Sequence, residues 1–85
     1  MNRQTITTLN PEAIFLDNAF DGAIVGIGNN AFGDVVAIYS QKECLDIIGS
    51  DGVEKTDAVM LMGTFIESTS GKYAPMFLTE MWELF

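Results

Sequence analysis

Residues 23–40 read AIVGIGNNAFGDVVAIYS, and this stretch decides the fold. It opens with one short β-branched run, 23–27, and closes with a second, 35–39. Apolar runs of this length bounded by glycine indicate buried strands. The segment between them, 28–33, is rich in glycine and asparagine, which tolerate the positive φ that tight connections require. The stretch therefore predicts an antiparallel β-hairpin.

Two helices are predicted after the hairpin. Ser40 and Glu43 have the spacing of a capping box, in which each side chain satisfies the other's backbone amide, and the helix that they begin is expected to stop at Gly49. A Ser-Asp-Gly turn at 50–52 precedes a second helix over about 54–66. Its three- and four-residue spacings predict that it buries Ala58, Leu61, Met62, Phe65 and Ile66.

The segments on either side complete an α+β fold. Asn10, Pro11 and Glu12 together are typical of a helix start, which predicts a short helix from Pro11 to about Phe20. Residues 1–10 show no helical period, and we expect an extended lead-in or a short edge strand whose order stays open. Residues 73–78 are predicted as a last strand, at an edge because Pro75 cannot donate to a ladder.

The predicted architecture is a small antiparallel sheet, formed by the hairpin and the C-terminal strand, packed against two or three short helices. It occupies one compact domain over 11–85. The chain ends in large apolar residues interleaved with acids, TEMWELF at 79–85. Either this tail completes the sheet and covers the core, or it is an exposed anchor that binds a partner through Glu80, Trp82 and Glu83.

The composition limits the kinds of partner that the protein can bind. The chain has 12 acidic and 4 basic residues, no histidine and a net charge of −8, yet 48% of its residues are hydrophobic. A folded domain with a negative surface repels nucleic acid and anionic membranes and attracts basic protein surfaces. We therefore expect no direct binding of nucleic acid or membrane. That the acidity merely aids solubility is an open alternative.

Enzyme chemistry finds little support in the sequence. Without histidine, and with Cys44 as its one cysteine, the chain has no Ser-His-Asp or Cys-His arrangement and no typical zinc ligands. Residues 26–31, GIGNNA, match a dinucleotide fingerprint by letter, but another strand follows where a helix should begin. Residues 51–57 lack the alternating ligands of a calcium loop. We expect a protein that is not an enzyme, with no catalytic residues, metal or cofactor.

The cellular compartment is predicted from the same features. Cys44 lies in an apolar run, where it is expected to be a buried small hydrophobe, and no internal disulfide can form. The N-terminal ten residues do not resemble a secretion signal, and no segment is long enough to span a membrane. A chain with one buried cysteine and no disulfide is typical of a cytosolic, reducing compartment.

About three-quarters of the chain, from Phe15 to Leu78, resembles a group of small phage and prophage proteins of unassigned function. Their pattern is an aspartate before an A-I-x-G-I strand, a strand ending in V-x-Y, a short helix, a D-G turn, a helix beginning with alanine and a G-x-x-P-x-F ending. The matching residues are Asp21, 23–27, 35–39, 44–48, 51–52, Ala58 and 71–77. The resemblance implies a hairpin, two helices, a closing strand and a viral origin, and carries no catalytic residue over. The chain departs from the pattern at 60–63, where the group usually has a glutamate-aromatic cluster.

These observations together favour an inhibitor that acts by surface charge. Carboxylates on a rigid surface can stand in for phosphates, so we expect a protein that occupies the basic nucleic-acid groove of a host defence enzyme, as an anti-CRISPR or anti-restriction protein does. It would act in the cytoplasm of a bacterial host cell. The residues expected to bind are Asp46, Asp51, Glu54 and Asp57, around one inter-helix turn. The alternative interpretation of these four is an ordinary solvated turn.

Two other functions stay open. The first is a self-assembling structural or adaptor module, in which an apolar patch over 76–85 forms a homodimer. The second is sequestration of a small signalling molecule in an interface pocket, although an acidic protein suits a nucleotide poorly.

Overall fold

The fold is described from a computed structural model, which describes residues 3–79. The chain forms a three-stranded sheet, with helical segments before the first strand and between the second and third strands. In chain order the elements are helix α1 (Arg3–Leu9), a 3₁₀ helix (Asn18–Ala23), strands β1 (Ile24–Asn29) and β2 (Val35–Ser40), helices α2 (Gln41–Ser50) and α3 (Lys55–Ser68), and strand β3 (Met76–Leu78). The predicted α+β class is confirmed.

The β1–β2 hairpin forms as predicted. The strands pair antiparallel, with Ile24 opposite Tyr39 and Gly28 opposite Val36. Asn30 stabilises the turn through two hydrogen bonds to Asp34. Its side-chain oxygen accepts from the backbone amide of Asp34 at 3.0 Å, and its backbone amide donates to the backbone carbonyl of Asp34 at 3.0 Å. Gly33 has φ 82°, a conformation that side chains disfavour.

The third strand corrects the prediction of an antiparallel sheet. β3 lies at the predicted edge, in the order β1-β2-β3, but it pairs parallel to β2, with Ile38 opposite Met76 and Ser40 opposite Leu78. A parallel pair needs a crossover of about a dozen residues or more. The connection through α2 and α3 supplies that length, so the chain can return in the same direction as β2 and the sheet is mixed.

One core joins the sheet to the helices. Tyr39 and Phe77, opposite each other in register, stack with ring centroids 5.9 Å apart. Phe20 meets Phe65 of α3 edge to face at 5.3 Å. The buried cluster draws on every helix and on both hairpin strands: Ile6, Leu16, Phe20, Ala23, Ile24, Ala37, Tyr39, Cys44, Ile48, Ala58 and Met62.

The N-terminal segment is helical, where an extended lead-in or an edge strand was expected. α1 is short, and its fully buried Ile6 packs into the core. Arg3 fixes its start, because the guanidinium donates to the carboxylate of Asp21 at 2.9 Å and to the backbone carbonyl of Leu16 at 2.6 Å. These are contacts with residues far along the chain, and no local pattern predicts them.

The predicted helix from Pro11 to Phe20 is wrong. The side-chain oxygen of Asn10 accepts from the amide of Glu12 at 3.1 Å, which makes a turn in place of a helix cap. The chain then runs irregularly until the 3₁₀ helix begins at Asn18. In between, the amide of Ile14 donates to the Tyr73 carbonyl at 2.9 Å, so tertiary bonds replace helical ones.

The two predicted helices after the hairpin are confirmed, with small shifts of their ends. The hydroxyl of Ser40 accepts from the amide of Glu43 at 3.2 Å and caps α2. α3 buries Ala58 and Met62, and half-buries Phe65. Leu61 and Ile66, both expected in the core, are 40% and 38% exposed. The line from 58 through 62 to 65 sets the buried face, and these two residues lie on either side of it.

Candidate partner-binding surface

The acidic residues singled out in the sequence lie where α2 passes into α3. Asp46 is on α2, Asp51 is its C-terminal cap, Glu54 is the N-terminal cap residue of α3, and Asp57 is in the first turn of α3. All four are exposed, and we call them the turn cluster. Between 46 and 57 the only cation in the sequence is Lys55. The region is therefore a negative surface.

Local structure explains why these carboxylates are available to a partner. Glu54 stands at the cap position of α3, but its side chain makes no capping hydrogen bond. Asp51 stands at the C-terminal end of α2, where the helix macrodipole is negative and a cation would be favoured. Neither α2 nor α3 has a basic residue in its last turn. A cation brought by a partner would relieve this repulsion at Asp51.

Two other acidic residues are already paired within the chain. Asp21 binds Arg3 at 2.9 Å, and Asp34 lies 3.9 Å from the ammonium of Lys72. Both carboxylates are only half-exposed. The two pairs hold the N-terminal helix and the hairpin loop, so Asp21 and Asp34 stabilise the fold. The four acids of the turn cluster are exposed and take part in neither pair.

The C-terminal partner-binding residues predicted from sequence, Glu80, Trp82 and Glu83, lie outside the described residues. The two predicted roles of the tail, covering the core or binding a partner, also concern residues outside the described range. The adjoining part of the apolar segment is described. Met76 and Leu78 of the edge strand are 44% and 47% exposed, and both are large apolar side chains. They lie in the segment 76–85, for which the sequence left open an apolar interface.

Cys44 is a core residue, as predicted. Its side chain is fully buried, and burial raises the pKa of the thiol from an ordinary value of 9.0 to about 11, with a smaller contribution from Glu43. A protonated and inaccessible thiol is neither a nucleophile nor a metal ligand.

The glycine-rich segment at 26–31 leads into a hairpin turn and not into a helix, as predicted, but its first four residues belong to β1. β1 continues through Asn29, and the chain then turns directly into β2 at Val35. No helix begins inside it, so the amides that would bind a pyrophosphate in the dinucleotide fold are not presented there. Within residues 3–79 there is also no group of three or more acidic or cysteine side chains placed to hold a metal ion.

A shallow depression beside α1 is lined by Arg3, Gln4, Thr7, Thr8, Pro11 and Asp21. The guanidinium of Arg3 is already bound to Asp21 and to the Leu16 carbonyl. The depression therefore offers no free charged group to fix a small ligand. Among the described helices, none is both long enough and apolar enough to cross a bilayer.

Sequence reasoning missed one surface. Val59, Met60 and Ile66 of α3 are 52%, 68% and 38% exposed, although the sequence placed Ile66 in the core. A helical wheel centred on Ala58 and Met62 places these residues together on one side of the buried face. The spacing of these residues in the sequence is compatible with such a side, but which face of α3 is buried is set by its packing against α2 and by the contact of Phe65 with Phe20.

Comparison with known proteins found no matching family, no similar curated protein and no similar solved structure.

Proposed function

We propose that this protein is a non-enzymatic inhibitor that docks the turn cluster on the cationic nucleic-acid groove of a host protein. The observation that supports this most is the exposure of Asp46, Asp51, Glu54 and Asp57 around a single inter-helix turn. Carboxylates held on two helix ends are fixed in position, so they can stand in for the phosphates of a nucleic acid. Binding would occlude the groove without any covalent chemistry.

The target class is a nucleic-acid-binding defence enzyme or complex of a bacterial host, and the inhibitor would act in the cytoplasm, in the manner of anti-CRISPR or anti-restriction proteins. This part of the proposal comes from the resemblance of residues 15–78 to small phage proteins. The net charge of −8 supports it, because the same field that attracts a basic groove keeps the inhibitor off DNA itself.

A matched pair of charge reversals tests the proposal. One variant carries Asp51→Lys and Asp57→Lys; the control carries Glu12→Lys and Glu43→Lys. All four residues are exposed, and both variants change the net charge equally. Each variant also reverses one acid in the first turn of a helix, Asp57 in α3 and Glu43 in α2, so the cost to the helix dipole is matched.

The readout is retention of nucleic-acid-binding proteins from a bacterial lysate on each immobilised variant, followed by DNA binding of the retained protein with and without the inhibitor. We expect the wild type and the control to retain and inhibit the same target, and the Asp51/Asp57 variant to lose both effects. Retention should fall as salt rises, because exposed charges are screened over about 8 Å at physiological ionic strength. Equal retention by both variants, or retention indifferent to salt, would contradict the proposal.

The exposure of Met76 and Leu78 favours a second candidate, a self-assembling structural or adaptor protein that uses its apolar C-terminal segment. The molecular mass of the protein in solution, measured before and after truncation, tests this candidate. Removal of residues 81–85 should convert an assembly into monomers if this segment is the contact. A mass that does not change on truncation counts against this candidate.

A further inference from the structure

The solvent-facing surface of α3 is divided lengthwise. On one side of the buried line lies a polar flank with Asp57, Thr64 and Ser68, and the two hydroxyls bond to carbonyls of their own helix. On the other side lies what we call the apolar flank, formed by Val59, Met60, Gly63 and Ile66. Its three large side chains are 38–68% exposed. Leu61, 40% exposed, lies between the buried line and the polar flank. The other three large exposed apolar side chains of α3 are grouped on the apolar flank, and a grouped apolar surface is typical of an interaction site.

The apolar flank has both a projection and a notch. Val59 projects from the helix, and Gly63 lies one turn further on. A Cβ atom built at Gly63 would have nothing within 4 Å, so the space beside this glycine is open. A glycine in the interior of a 14-residue helix weakens that helix, but it would also allow another backbone to approach closely at this point.

Opposite charges mark the two ends of the flank. Lys55 stands at the first residue of α3 and Glu67 near its last, about 18 Å apart along the helix axis. Within residues 3–79, the ion pairs found involve neither of them. If a second α3 ran antiparallel across the flank, the Lys55 of each helix would meet the Glu67 of the other.

Two separate features of the flank select the same arrangement. The first is the pair of opposite charges, Lys55 and Glu67, and the second is the projecting Val59 with the open space at Gly63. In each pair the midpoint in sequence is residue 61. A two-fold axis that crosses the apolar flank at the level of residue 61 therefore places Lys55 level with Glu67 of the partner subunit, and Val59 level with Gly63 of the partner subunit, in a single rotation. Self-complementarity of this kind is what a two-fold interface requires of one surface patch, whereas a parallel arrangement would place Lys55 against Lys55.

We propose that α3 is a homodimer interface, in which a second copy of this chain packs antiparallel on the apolar flank. Val59 fits the notch at Gly63 of the partner subunit, and Lys55 pairs with Glu67 of the partner subunit. The inference does not depend on the inhibitory role proposed above. It has a consequence for that role, because the turn cluster lies at the N-terminal end of α3, so the dimer displays two clusters at opposite ends of the interface.

Sedimentation equilibrium of the full chain, at concentrations rising to about 1 mM, tests the proposal. We expect a monomer–dimer equilibrium in the micromolar range, since a pair of single helices makes an interface at the low end of specific contacts. Gly63→Ala fills the notch and should weaken the dimer at least about tenfold. The same substitution favours the helix, so a dilute sample should melt at the same or a higher temperature. Loss of dimer therefore cannot be attributed to unfolding.

A matched pair and a charge exchange complete the test. Val59→Lys on the apolar flank should abolish the dimer, whereas Thr64→Lys on the polar flank should leave it unchanged. Lys55→Glu and Glu67→Lys should each weaken the dimer, and the double variant should recover most of the loss, because the pair is restored with its signs exchanged.

Three results would overturn the proposal. They are a monomer at every concentration, a dimer that survives both Gly63→Ala and Val59→Lys, and a dimer that dissociates when residues 81–85 are removed while Val59→Lys has no effect. The last two place the contact elsewhere on the chain. They are distinguishable from failure of the inhibitory role, which is read from Asp51 and Asp57 on the retained target.

Discussion

The phenol oxygen of Tyr39 accepts a hydrogen bond from the backbone amide of Leu16 at 3.0 Å, and both residues are buried. The bond joins the middle strand of the sheet to the irregular segment that precedes the 3₁₀ helix. Burial raises the pKa of Tyr39, and the bond from the Leu16 amide only partly opposes that shift. The tyrosine therefore stays protonated and holds the segment through neutral pH.

Replacement of Tyr39 by phenylalanine should destabilise the protein by about 1–3 kcal/mol, because the Leu16 amide would be left buried without an acceptor. Chemical denaturation measures the free energy of unfolding. Tyr73→Phe is the control, since its ring beside Lys72 is retained and its backbone carbonyl still accepts from Ile14. The control should change stability by less than about 0.5 kcal/mol. Equal losses in the two variants would show that the Tyr39 hydroxyl contributes nothing specific.

Stability should fall between pH 9 and pH 11 because of Cys44. Its pKa rises from an ordinary value of 9.0 to about 11 in the folded state, so the folded protein holds this proton after the unfolded chain has lost it. The stability that the protonated Cys44 thiol contributes is fully present below pH 9 and is lost as the pH rises through the pKa of the folded state. A difference of two pH units corresponds to about 2–3 kcal/mol at full effect.

Denaturation midpoints measured from pH 8 to pH 11.5 check this prediction. Cys44→Ala, which has no thiol to ionise, should show a flatter profile over that range. A smaller decline should persist at the upper end, because the pKa of Tyr39 is also raised. If the wild type and Cys44→Ala lose stability in parallel, the buried thiol is not the group that titrates.

The elements that could be predicted from sequence are those whose signals are local. The hairpin turn and the Ser40 cap of α2 are specified by residues within a few positions of each other, and both formed. The turn lies at 30–34 and not at 28–33, because β1 continues through Asn29. The exposure of the turn cluster could be predicted for a similar reason, since unpaired carboxylates are almost never buried.

The errors occur where tertiary contacts override local preference. Pro11 favours a helix start, but the segment after it bonds to Tyr73 and Tyr39, which are distant in sequence. α1 forms on a threonine-rich segment because Ile6 is buried and Arg3 is held by Asp21. Neither the parallel direction of β3 nor the rotation of α3 about its axis could be read from periodicity, because both are set by the packing of distant elements.

Arg3→Ala should destabilise the protein by about 1–2 kcal/mol. The ion pair with Asp21 contributes little by itself, since both side chains are at least one-third exposed. The larger loss is the charged hydrogen bond to the Leu16 carbonyl, together with the contact of the guanidinium over the Phe15 ring at 4.7 Å. Asp21→Ala removes only the pair and should cost less. If Asp21→Ala costs as much as Arg3→Ala, the ion pair dominates, and the hydrogen bond to the Leu16 carbonyl contributes little.

Two glycines on β1 should respond differently to alanine. Gly26 and Gly28 face the same side of the sheet, and neither has a positive φ. A Cβ at Gly26 would meet nothing within 4 Å, so Gly26→Ala should stabilise the strand by about 0.5–1 kcal/mol. A Cβ at Gly28 would lie 3.0 Å from the Cδ1 atom of Ile38 and 3.6 Å from the sulfur of Met76. Gly28→Ala should therefore be at least about 1 kcal/mol less stable than Gly26→Ala, because Ile38 must leave its rotamer.

A compensating substitution separates this contact from any other effect of alanine at Gly28. Ile38→Val removes the Cδ1 atom and leaves the branched side chain in the middle strand. Combined with Gly28→Ala, it should give a protein more stable than the sum of the two single changes, by about 0.5–1 kcal/mol of interaction energy. The same Ile38→Val change combined with Gly26→Ala should be additive, because the Gly26 position has no contact to relieve. Additive effects in both pairs would mean that Ile38 does not restrict position 28 to glycine. The strand would then tolerate a side chain at position 28 as readily as at position 26.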